Sequence, residues 1–296
     1  MGLKPIAMYV HRYFYQNILL LPYCMSEDNN HNNYHDSNFN LNEAQGYSLL
    51  IQAQETAFDY AIVDESRLLV YVQNTPVDEL TNPRHLKSLL AANYKKVVAG
   101  LPAAALTLVP GSLYNDDQAA YYARFLDLGD NEKVLVQQLD NDNKIIYKAA
   151  SSIVAVSDRF GLQNTAYAGK GTIKAIAASN PGDERLFLEL GDETVQILYF
   201  KAGKLRFLNI FEFKNADELV YFTALVCDEL KLKAQDVTLV LNGKISPGDA
   251  NMSRLNDFYP NVELNAINVV ELPGQVAAHK ILSLVALSLC GSSEEV

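Results

Sequence analysis

One order of elements occurs twice in this chain. From Tyr47 the sequence reads as three short strands, YSLLIQAQ, FDYAIVD and RLLVYVQ, joined by polar turns at Glu55 to Ala57 and at Glu65 to Arg67. Runs rich in Val, Ile, Leu and Tyr, separated by such turns, form a meander. DELTNPRHLKSLLAANY follows as a helix with Leu80, Leu86, Leu89 and Leu90 on one face and Pro83 near its start, and KKVVAGLPAAALTLVP returns as a strand. After an insert of helix (DDQAAYYARFLDL) and hairpin (KVLVQQLDNDNKIIYKA) come helix SSIVAVSDRFGL, strand NTAYAG and helix GTIKAIAAS. SNPGDE, residues 179–184, is turn-rich and marks a boundary. Beyond it the order starts again with LFLELGD, TVQILYF and KLRFLNIFEF, then helix NADELVYFTALVCDELKL and strand VTLVLNG. A helix beginning at Pro247, strand NVELNAI and helix GQVAAHKILSLVALSLC complete it. Duplication of one α/β unit accounts for both halves.

The expected organisation is therefore a first lobe over 45–180, interrupted by an insert near 115–148, and a second lobe over 181–296. A length of 296 residues suits two ordinary domains. Residues 26–42 hold seven Asn and little that packs, so everything before Gln45 reads as an appendage and linker. His31, His35 and Asp36 lie in that stretch, where a solvated loop explains them better than metal binding does.

Charge narrows the partners. Counting 24 basic against 35 acidic residues gives a net charge of −11, which repels phosphate backbones, and Lys95–Lys96 is the longest basic pair. Nucleic acid is excluded as a partner, and a protein or a small ligand is expected. Cys24, Cys227 and Cys290 are an odd count without paired or metal-like spacing, which fits a reducing compartment and a cytoplasmic location. The apolar N-terminus carries His11, Arg12 and Gln16 within its hydrophobic run, and Ile6 stands where a myristoylation signal has Ser or Thr. That segment and residues 281–290 are both too short to span a bilayer, and the second reads as a buried helix.

The stretch LFLELGDETVQILYFKAGKLRFLN, residues 186–209, breaks between two strands at Gly191 and Asp192. A plain hairpin satisfies this alternation. The doubled meander-and-crossover order gives the turn another meaning, because it resembles the ribonuclease-H-like unit of the actin, hexokinase and heat-shock-chaperone superfamily. Within that superfamily the chain resembles bacterial members that act in cell division and pilus assembly. More narrowly, YSLLIQAQETAFDYAIVD with ALTLVPGSLY is similar to an uncharacterised bacterial family of actin-like fold. The resemblance covers roughly residues 45–290 and implies an α/β protein of two duplicated ribonuclease-H-like lobes, the actin-like ATPase fold.

It also implies where a nucleotide would sit. Proteins of this superfamily carry Asp-x-Gly-x-x-Thr after the first strand of the second half, where Gly lets the backbone approach a phosphate. Glu189, Gly191 and Thr194 occupy those places. The first-half turn should read Asp, then Gly, then Lys, but this chain has Gln52, Gln54 and Asp59. Exchanging a cation for an anion at about 4 Å from a phosphate shifts the interaction by several kcal/mol even at an effective dielectric near 20. The adenosine-binding Gly cluster is reduced to Asn242 and Gly243 before Lys244 and is one residue short of Pro247–Gly248. Taken alone, an Asn-Gly turn after a buried strand explains this segment better.

Glu189, Gly191, Thr194, Asn242 and Gly243 thus read as a vestigial nucleotide cleft. No cofactor is expected, with ATP and Mg²⁺ disfavoured, and neither catalytic nor metal-ligating residues are assigned. His279 and Cys227 sit at core spacing and read as packing residues. Function falls to a protein contact, for which Tyr121, Tyr122 and Phe125 of the insert are the aromatic anchors unless they pack onto their own lobe. Two rival readings stand beside it. One is an active ATPase or kinase in which Glu189 and Asp192 hold Mg²⁺ and Lys244 meets phosphate; the other is a small-molecule module using the interlobe cleft.

Overall fold

The computed structural model describes residues 33–161 and 164–290. A short strand β1 (Tyr34–His35) and a 3₁₀ turn (Leu41–Gly46) lead into the meander β2 (Ser48–Ala53), β3 (Ala57–Val63) and β4 (Leu68–Pro76). Helices α1 (Asp78–Thr81) and α2 (Lys87–Leu90) precede β5 (Lys96–Leu101). Next come β6 (Ala105–Pro110), α3 (Ala119–Ala123), β7 (Glu132–Gln138), β8 (Asn143–Ala150), α4 (Ser151–Phe160), β9 (Thr165–Tyr167) and α5 (Lys170–Ala178). The second half holds β10 (Arg185–Leu190), β11 (Thr194–Lys201), β12 (Lys204–Glu212), α6 (Ala216–Leu230), β13 (Thr238–Gly243) and α7 (Ala250–Phe258). Strand β14 (Asn261–Leu264) and α8 (Ala278–Val285) follow, closed by a 3₁₀ turn (Ala286–Leu289).

The duplication is visible in the strand pairing. The first sheet runs β1-β4-β3-β2-β5-β9 and the second β12-β11-β10-β13-β14. In each, the first meander strand pairs antiparallel with the second and parallel with the strand after the first crossover. Gln52 lies opposite Asp59 and Gly100, and Glu189 lies opposite Gln196 and Asn242. The register therefore makes Gln52 the counterpart of Glu189, Gln54 that of Gly191, and Asp59 that of Gln196.

Each sheet buries both faces, and the two halves exchange their last helices. On the first sheet Leu49 and Ile51 face α1 and α2, meeting Leu80, Leu86 and Leu89. Its other face, with Leu50, Ala61 and Val98, is covered by Ile281, Leu284 and Val285 of α8 from the second half. Leu186, Leu188 and Leu239 of the second sheet pack against Leu219 and Val226 of α6 and Leu255 of α7. Phe187, Leu198 and Val240 on the opposite face meet Ile173 and Ile176 of α5 from the first half. Where α5 passes the C-terminal turn, a Cβ on Gly171 would lie 2.2 Å from the Ala286 carbonyl oxygen, so only Gly permits the crossing.

Three sequence-based expectations change. The helix expected over DELTNPRHLKSLLAANY is two separate turns, because Pro83 has no N–H to carry the ladder onward. The amides that follow are taken by the Glu79 carboxylate, which accepts from Arg84 (2.9 Å), His85 (3.1 Å) and Leu86 (3.1 Å). Burial raises the Glu79 pKa, but these donors outweigh it and hold the carboxyl below its ordinary value. KKVVAGLPAAALTLVP is also two strands, broken around Pro102. β5 joins the first sheet, while β6 belongs to a separate sheet, β6-β8-β7, so the insert runs from about 105 to 150 rather than 115–148.

The third change concerns the arm before Gln45. Tyr34 and His35 pair with Tyr71 and Val70 on β4, and Phe39 and Leu41 pack against the first-lobe core. Residues 33–44 are thus part of the first lobe, since their few apolar side chains find a sheet edge to cover. The readings made on residues 1–32, including Cys24 and the apolar N-terminal segment, lie outside the described residues. No helix among the described residues is long and apolar enough to cross a membrane.

Candidate functional site

The C-terminal ends of β2 and β10 open into a cleft of about 860 Å³ between the two lobes. Its second-lobe wall is the turn joining β10 to β11. Gly191 donates its N–H to the Thr194 carbonyl at 2.8 Å, and a Cβ at Gly191 would approach Thr194 Oγ1 to 2.6 Å. Gly243 ends β13 at φ +83°, where a Cβ would lie 2.2 Å from the Leu190 carbonyl oxygen. A left-handed backbone and a close approach both require glycine there. Below the turn, His279 of α8 is buried with Nε2 3.1 Å from the Ile245 carbonyl, and burial lowers its pKa. A neutral imidazole donating to that carbonyl fits the packing role expected of His279.

Four of the five predicted residues, Glu189, Gly191, Thr194 and Gly243, line the cleft together. Asn242 does not. It is buried on β13 beside Glu189, and its carboxamide has no hydrogen-bond partner among the described residues. Gln52, Gln54 and Asp59 line the opposite wall, at the places where the resemblance implied a metal-positioning carboxylate, an open glycine and a cation.

Electrostatics follow from this arrangement. Burial pushes the Glu189 carboxyl up to about 7, partly countered by the Ser283 hydroxyl. Asp59 is likewise raised by burial, against the Asn74 amide that donates to it at 2.8 Å and the positive charge of Lys244 across the cleft. Lys244 itself pairs with Asp192 at 2.5 Å. Neither member of that pair is uncommitted, as the Mg²⁺-and-phosphate reading would need. Among the described residues no three His, Cys, Asp or Glu side chains are grouped as metal ligands.

Two contacts tie the lobes together across the floor. Ser283 of α8 donates to Gln52 Oε1 at 3.2 Å, and the Tyr167 hydroxyl at the end of β9 donates to Gln196 Oε1. Sequence reasoning missed Gln196, Tyr167 and Ser283. Gln196 could have been found by extending the hairpin register from Gly191, which sets it opposite Glu189; nothing local marks the other two.

The model of a family described as "Protein of unknown function (DUF3822)" matches residues 36–262. No protein of curated function matches the sequence. Among solved structures, the chain is similar to a Bacteroides thetaiotaomicron protein with actin-like ATPase fold and unknown function. The TM-score is 0.71 at 19% identity, covering 86% of this chain and 99% of that one. It is also similar to a chain of the PilM-PilN type IV pilus biogenesis complex, with a TM-score of 0.57 at 14% identity over 82% of this chain and 98% of that one. At these identities the likeness carries the fold, and the fold is the actin-like one that the duplicated order implied.

Proposed function

The chain belongs to the family of unknown function DUF3822, and from its geometry we propose that it is a non-catalytic binding protein that engages a partner protein through the insert of its first lobe. The carrying observation is the distribution of exposed apolar side chains. Among the described residues, four of the eight large exposed hydrophobics, Leu113, Tyr121, Phe125 and Leu128, fall within one short stretch of the insert. Tyr121 and Phe125 stand edge to face at 5.7 Å and are 55% and 68% exposed. Contiguous exposed apolar patches mark interaction sites, and Tyr is among the residues enriched at interface hot spots.

Tyr122, the third anchor expected from sequence, has a different place. It stacks on Tyr114 at 5.9 Å and donates to the Leu113 carbonyl at 2.8 Å, so it supports the surface from beneath. The insert is also held from behind. Leu106, Ile145 and Tyr147 pack with Leu205 and Leu208 of the second lobe, and Lys204 pairs with Asp142 at 2.7 Å. Such a braced platform would present its aromatic edge without moving the lobes. The pilus protein of similar fold is itself described in a complex with a partner, which supports this reading by analogy.

The cleft supports it by subtraction. Gln52 stands at the register of Glu189, and Asp59 faces Lys244 where an unopposed cation would attract phosphate. The test is a pull-down from native lysate with wild-type bait and with bait carrying Tyr121→Ala and Phe125→Ala. A stoichiometric partner that is lost from the double variant, while its melting point is unchanged, supports the proposal. A partner retained by the double variant refutes this surface.

A further inference from the structure

Two acceptors, one on each lobe, compete for the hydroxyl proton of Ser283. Ser283 lies on α8, the helix that the second half lends to the first sheet. Its Oγ donates to Gln52 Oε1 at 3.2 Å and is also a hydrogen-bond partner of the Glu189 carboxyl. Gln52 belongs to β2 of the first lobe and Glu189 to β10 of the second, at equivalent places in the two registers. A hydroxyl has one proton to donate, so it serves one of these acceptors at a time.

The protonation of Glu189 decides between them. Its Oε2 is shut off from solvent and has no hydrogen-bond partner among the described residues, and its neighbours across the strands, Gln196 and Asn242, are uncharged amides. From the end of β9 comes Tyr167, whose phenol burial holds in the protonated form. α8 brings Lys280 to the cleft and turns His279 to the Ile245 carbonyl; beyond β13, Lys244 is paired with Asp192; from β3 comes Asp59, bonded to the Asn74 amide. Neither lysine offsets the burial of Glu189, which carries its carboxyl from the ordinary 4.5 up to about 7. A carboxylate is a stronger acceptor than a neutral amide and takes the Ser283 proton. A carboxylic acid instead donates to Ser283 Oγ, which leaves the hydroxyl proton to Gln52.

We propose that the proton on Glu189 is a switch on the seam between the lobes: with it, Ser283 ties α8 to Gln52, and without it Ser283 turns to Glu189 and the tie is released. The second tie, from Tyr167 to Gln196, stands in both states. Because folding raises the pKa of Glu189, the stability that its proton contributes is whole below about 4.5 and is lost as pH rises through about 7. The switch does not rest on the insert surface, so either can fail while the other stands.

Urea unfolding of the whole chain at about pH 5.5 and about pH 8.5 tests this through Gln52→Met, which keeps the length of the side chain and removes its amide. At the lower pH the substitution should reduce the folding constant by about fivefold, the net worth of one hydrogen bond, and at the higher pH by less than about twofold. In Glu189→Gln, which cannot ionise, its cost should be the same at both pH values. Should Glu189→Gln not fold, Ser283→Ala carries the comparison, because without the hydroxyl Gln52→Met should cost nothing at either pH. A cost in the otherwise wild-type chain that is equal at both pH values, as a reversed Gln52 amide donating to Ser283 would give, overturns the proposal. So does a cost that still falls with rising pH in Glu189→Gln or in Ser283→Ala.

Discussion

Gly243 and Gly248 share a left-handed backbone, at φ +83° and φ +80°, yet they differ in what a side chain would meet. At Gly248 nothing lies within 4 Å of the added Cβ, whereas at Gly243 it would overlap the Leu190 carbonyl. Gly248→Ala should cost about 1–2 kcal/mol, the strain of a left-handed L-residue alone. Gly243→Ala should cost about 2–4 kcal/mol, because β13 must also draw back from β10. Denaturant midpoints read the difference, and equal costs would mean that the close approach of these strand ends is absent in solution. At this scale much of the site was legible. The spacing of Glu189, Gly191 and Thr194 located the turn, and the break in Asn242–Gly243 located the end of β13. The side chains that complete the floor were not, since Tyr167 and Ser283 arrive from β9 and α8, and no local pattern of residues records a contact made over such sequence separations.

At the scale of elements, apolar alternation predicted every strand of both meanders, and it failed where proline overrode it. Pro102 sits inside a run whose apolar residues continue on either side, so periodicity carried one strand straight through a break, while Pro83 marked the helix start but not the separate turn that precedes it. The packing of β1 was hidden for the opposite reason. Two residues in an Asn-rich stretch have too little pattern to announce a strand, and they pair because β4 offers an edge. The exchange of α5 and α8 between lobes was not written in periodicity either, since an amphipathic helix shows that it has a buried face but not whose sheet covers it. That exchange has a consequence for stability. Because each sheet owes one face to the other half, the lobes should unfold as one cooperative unit, with a single denaturant transition seen alike by fluorescence and circular dichroism. Two resolved transitions would show that the helices are not shared. Gly171→Val, which forces α5 away from the Ala286 carbonyl, should lower the single midpoint rather than split it.

At the scale of the whole molecule, two copies of one α/β unit meet in the geometry of an actin-like ATPase, while the residues at the meeting point have taken on other bonds. Gln52 accepts from Ser283, Asp192 holds Lys244, and Gln196 is fixed by Tyr167. By the resemblance, Gln52 stands where a nucleotide-binding relative would place a metal-positioning carboxylate. A net charge of −11 adds a general repulsion of polyphosphate to the local one. The central claim is that the fold persists without its nucleotide chemistry, and isothermal titration of the whole chain with MgATP tests it most directly. The account predicts no saturable heat up to about 1 mM ligand, which corresponds to a stabilisation below about 0.4 kcal/mol at that concentration. A stoichiometric isotherm with a Kd in the low micromolar range would contradict it.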